Sequence, residues 1–161
     1  MFYLRYLVPL HVISVLALLA SHGVSMFSMY RIRRVGLNRE KIAELIAFSG
    51  STVIPMYVSL GFLLATGIAV ALKFKYLTEP WIVWSILILL GVLASMYALA
   101  RPYFRRLTAA CAMRSSGVPR VSDEELQELV TSPRTHLITL IGVLGLAILV
   151  FLMINKPGLG T

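Results

Sequence analysis

Four long apolar runs, separated by short polar or charged stretches, recur along the chain. They cover about 6–27, 52–72, 81–100 and 137–154, each close to the ~20 residues that carry a helix across ~30 Å of hydrocarbon. Each is predicted to be helical, because an open strand in lipid leaves its backbone polar groups unpaired. The breakers fall between the runs. Pro80 is predicted to open the third helix and Pro102 to close it, while Ser132-Pro133 is a cap and first-turn proline ahead of the fourth. Lys156-Pro157-Gly158 ends that helix, and Pro55, one turn into the second run, marks its true start or kinks it.

Between the third and fourth runs, 101–136 forms the longest stretch outside the spans. Within it Ser122 stands three residues before Glu125, a capping-box spacing that starts a short helix near 123–131. Leu126, Leu129 and Val130 give this helix an apolar face to lay on the bundle or on the membrane surface. A similar start at Asn38 begins a helical stretch that runs on into the second span.

Composition settles the solvent. Of the 161 residues 58% are hydrophobic and only 14% charged, with a mean hydropathy of +0.85. A soluble domain of this size cannot bury so much apolar surface, since small domains leave a large share of their chain exposed. The chain is therefore expected to be a single all-α domain, a transmembrane four-helix bundle whose solvent is the lipid bilayer. The first run is too long for a signal-peptide core, and only Arg5 precedes it whereas Arg31, Arg33 and Arg34 follow, so it reads as a retained helix.

Eleven of the fifteen Lys and Arg lie between spans one and two or between spans three and four. By the positive-inside rule those loops are cytoplasmic, and the N and C termini lie on the outer side of the inner (plasma) membrane. The net charge of +8 is thus a topology signal, and no nucleic-acid motif accompanies it. Anionic lipid of the inner leaflet is a natural partner for Arg31–Arg34 and Arg101–Arg106. Phe2, Tyr3, Tyr6, Tyr76, Trp81 and Trp84 suit an outer interfacial belt, and Tyr30, Tyr103 and Phe104 an inner one. The lone Cys111 has no partner for an internal disulfide.

Polar groups inside the spans carry the candidate chemistry. On the first span His11, Ser14, Ser21, His22, Ser25 and Ser28 share one face at 100° per residue, which should look into the bundle. Thr52, Ser59 and Thr66 repeat every seven residues on the second, and Thr139, Gly142 and Gly145 line the fourth. His11, His22 and His136 are the candidate ligands for haem b. The three allow at most one bis-histidine haem, between His22 and His136, with a depth offset of about 5–10 Å. His22, Met26 and Met29, with Met56 and Met96 at similar depth, form an alternative soft set suited to copper(I). A third reading makes these side chains packed, hydrogen-bonded residues of the interior. No Asp or Glu lies mid-span, which argues against a carboxylate proton relay.

The pattern resembles a family of four-span bacterial integral membrane proteins of unknown function, distantly similar to copper-resistance-D-like and four-helix protoporphyrinogen-oxidase-like proteins. The resemblance is carried by Leu10-His11-Val12-Ile13, Ala65-Thr66-Gly67-Ile68-Ala69, Glu79-Pro80-Trp81-Ile82 and Leu152-Met153-Ile154-Asn155-Lys156-Pro157. It implies a four-helix bundle and a bundle-facing, haem-contacting His11. Three functions stay open. One is an accessory or anchoring subunit of a larger respiratory or photosynthetic electron-transfer complex, with neighbouring subunits or a second copy held around Gly91, Ser95, Gly142 and Gly145. The others are a haem-binding or haem-handling protein and a copper-handling protein. The chain lacks a complete reactive constellation, which favours the non-enzymatic reading.

Overall fold

A computed structural model describes residues 4–158. Among the described residues the architecture is all-helical, with one isolated bridge between Met113 and Pro119. Helix α1 spans Leu4–Ile32, α2 Arg39–Ser51 and α3 Val53–Phe74; a 3-10 turn at Tyr76–Thr78 leads to α4, Pro80–Ser95. A π-helical turn, Met96–Ala100, joins α4 to α5, Arg101–Cys111; α6 (Asp123–Thr131) and α7 (Arg134–Asn155) complete the chain. Four helical runs, Arg5–Ile32, Arg39–Phe74, Pro80–Cys111 and Asp123–Asn155, are long and apolar enough to cross a membrane.

Local chemistry explains the boundaries. Asn38 accepts a hydrogen bond from Lys41 N at the start of α2, and Ser122 from Glu125 N at the start of α6. Pro80 occupies the first turn of α4, where a missing N–H costs nothing. Pro55 follows a break at Thr52, so it sits in the first turn of α3. Lys75 and Lys156 close α3 and α7 in the left-handed conformation. The expectation for Pro102 fails: the helix runs through it as α5, because the wider π-helical turn just before it absorbs the lost backbone bond.

Side by side, α1 packs along α3 and α4 along α7, and the two pairs meet where α1 crosses α7. The seam of α1 with α2 and α3 is polar. Ser49 Oγ donates to Ser25 Oγ at 3.0 Å, and Ser14, Ser21, Ser28, Ser59 and Thr66 are buried around it. Several hydroxyls donate back into their own helix, Ser14 to Leu10 O, Thr66 to Phe62 O and Ser85 to Trp81 O, which satisfies them in an apolar medium.

The two ends are closed by apolar clusters. At the arginine-rich end Met29, Ile32, Ile42, Tyr103, Leu107 and Leu126 pack together, joining α1, α2, α5 and α6. Arg39 clamps that end, donating to the carbonyls of Ala110 and Val121 and to Asp123 Oδ1 at 2.7 Å. At the other end Ala71, Trp81 and Ile82 form a smaller cluster. Two aromatics expected at an interface are therefore interior: Trp81 is 4% exposed and Tyr103 3%. Trp84 and Tyr30 are exposed, as is Tyr6, while Phe2 and Tyr3 lie outside the described residues.

Candidate functional site

The three histidines occupy three separate environments. His11, on α1, faces α3. Thr66 gives its own proton to Phe62 O, so the Nδ1–H of His11 is the donor, reaching Thr66 Oγ1 at 3.0 Å and Leu63 O at 3.1 Å. Gly67 makes room for this ring: a Cβ there would stand 3.1 Å from His11 Cε1. The ring is a strut between two helices.

His136 stands in the first turn of α7, where its Nε2 accepts from Arg33 Nη1 at 2.7 Å. The same guanidinium nitrogen donates to Thr135 Oγ1 at 3.0 Å, so Arg33, just past the end of α1, ties α1 to the start of α7. His22 faces a different part of α7. Its ring lies in the notch left by Gly142, against which Met96 Cε also packs. The Nε2 of His22 is buried without a hydrogen-bond partner.

This geometry bears on each ligand set. His136 stands six residues before Gly142 on α7, about 9 Å along the axis at 1.5 Å per residue. The Nε2 atoms of His22 and His136 thus sit at different depths, one pressed on Gly142 and one held by Arg33. They do not fit the two axial positions of one haem. His11 lies on the α3 side of α1 and joins neither. Of the residues proposed for copper, His22 and Met26 wall one cleft between α1 and α7 and Met26 and Met29 the adjoining one, while Met56 belongs to α3 and lines neither. It is Met96, from the π-helical turn, that shares the Gly142 notch with His22. Among the described residues no three His, Cys, Asp or Glu side chains gather as a metal site.

Two of the three glycines expected to meet neighbouring chains, Gly142 and Gly145, act inside this one. Gly142 receives His22, and Gly145 receives the side chain of Val92 from α4. Small residues there let α7 approach both α1 and α4.

What the geometry does assemble is an open seam between α1 and α7. Its inner cleft, about 440 Å³, is walled by Leu19, His22, Val143, Leu146 and Val150. Its outer cleft, about 360 Å³, opens beside Tyr30, Arg33, Thr135 and His136. The sequence placed Arg33 among the loop charges that meet anionic lipid, without its contact to α7. The signal for its role was its spacing, eleven residues or three turns after His22 and so on the same face of α1. No protein-family model, curated protein or solved structure matches this chain.

Proposed function

We propose that this chain is an accessory or anchoring subunit of a larger assembly in the cell membrane, with both termini outside and the arginine-rich helices in the cytoplasm. The orientation rests on the bias of Lys and Arg toward the two loops at that end. One contrast carries the functional reading. His11 and Ser25 are spent on holding this chain's own helices together, whereas Gly61 on α3 and Gly91 on α4 face outward with nothing within 4 Å of where a side chain would begin. Ala65, one turn from Gly61, is exposed on the same face. In hydrocarbon such small-residue faces admit the backbone of another helix. The partner is accordingly an apolar transmembrane helix of another subunit.

Cross-linking in native membranes, followed by extraction in mild detergent and sizing, tests this. The chain is expected to migrate with a larger species, and Gly61→Leu or Gly91→Leu is expected to release it as a folded monomer. A chain that runs alone after cross-linking overturns the reading.

A further inference from the structure

The two clefts of the α1–α7 seam run into one another, since Gly23 and Met26 wall both. The result is a trough whose inner walls are almost wholly apolar and whose mouth carries Arg33, Thr135 and His136. From Leu19 on α1 to Arg33 just past its end it runs about 21 Å at 1.5 Å per residue, against ~15 Å for half of the hydrocarbon layer. Arg33 brings a cation to this mouth without an anion. Its Nη1 donates to two neutral acceptors, Thr135 Oγ1 and His136 Nε2, and the one ion pair among the described residues is elsewhere, between Arg39 and Asp123. The start of α7 adds the positive end of a 22-residue helix beside it.

We propose that the seam binds one anionic phospholipid from the leaflet at the arginine-rich end. An acyl chain lies in the trough past Gly23 and Met26, and the phosphate meets Arg33 at the mouth. The charge at the mouth selects the headgroup, and the apolar trough between the two helices takes the chain. The site does not depend on the accessory role, because the whole trough is built by this chain.

Native mass spectrometry of the full-length protein in detergent tests the proposal. The probes are dioleoylphosphatidylglycerol, dioleoylphosphatidylcholine and glycerol 3-phosphate. One phosphatidylglycerol per chain is expected, in preference to phosphatidylcholine, with no retention of glycerol 3-phosphate. Arg33→Gln removes a charge-assisted bond and is expected to lower phosphatidylglycerol retention about tenfold. Gly23→Leu leaves every charge in place, and a side chain grown from Gly23 meets open space in the trough; it is expected to lower retention as far. Arg101→Gln, the same charge change on exposed α5 where Arg101 stacks on Tyr97, is expected to leave it unchanged. Equal retention of both lipids overturns the proposal, as does retention of glycerol 3-phosphate matching the lipid. Full binding in Gly23→Leu overturns it too, and so does an equal loss in Arg101→Gln, which would mark attraction by general charge.

Discussion

His22 on α1 fits into the space that Gly142 leaves open on α7; a Cβ at position 142 would overlap its imidazole. The clashing atoms are the far end of a side chain with two rotatable bonds, and the cleft beside it is open. Gly142→Ala is therefore expected to turn the ring into the cleft and cost about 1 kcal/mol, the low end of overpacking. In His22→Ala the same Gly142→Ala change should be nearly neutral. Thermal unfolding of the four proteins in detergent gives the cycle, and additive effects would place the two residues out of contact.

Gly145 is the harder case. There a new Cβ would overlap a methyl of Val92, whose branched side chain is held to one strongly preferred rotamer on a helix. The relief has to come from moving α4 away from α7. Gly145→Ala is expected to cost about 2–3 kcal/mol, more than Gly142→Ala. The reverse ranking would mean that the α4–α7 pair is the looser of the two contacts.

Arg39 and Asp123 form an ion pair, yet their variants should differ widely. The Arg39 side chain is 9% exposed and supplies bonds to the Ala110 and Val121 carbonyls, whereas that of Asp123 is 67% exposed. Arg39→Ala leaves two carbonyls short of a donor and is expected to cost about 3 kcal/mol. Asp123→Ala loses only an exposed pair, about 0.5 kcal/mol, and less in high salt. Limited proteolysis between Ala112 and Val121 reads the same difference, with faster cutting in Arg39→Ala alone.

Adding hemin to the purified protein is expected to give no spectrum of paired axial imidazoles. The Nε2 atoms of His22 and His136 are separated in depth, and that of His136 is engaged by Arg33. A sharp low-spin spectrum lost in both His22→Ala and His136→Ala would show that the two rings leave these positions to meet at one iron.

Much of the architecture was legible because periodic hydrophobicity and caps are local properties. Ser122 capping Glu125 N, Asn38 capping Lys41 N and Pro80 opening α4 each need only a few residues of sequence. The polar face of α1 was legible too, but not its division. His11 turns to α3 and Ser25 to α2, while His22 and Arg33 turn to α7, and spacing along one helix does not say which neighbour covers which edge. For the same reason Gly142 and Gly145 look like an outer contact face in sequence and are buried in the structure. Pro102 misled through its reputation as a breaker, which holds for a regular helix and lapses after a wider turn. Trp81 and Tyr103 are aromatic at span ends, a pattern that interface and interior share.

The passage from α4 through the π-helical turn into α5 leaves no loop between the apolar run and the arginine-rich end. Pro80–Cys111 is one continuous helical run of 32 residues, about 48 Å long at 1.5 Å per residue, longer than the ~30 Å needed to cross hydrocarbon. Its last third carries Tyr103 and Leu107 into the cluster with Leu126. A tilt imposed on its Pro80 end is therefore passed toward α6 through the π-helical turn at Met96–Ala100, where such a rod bends.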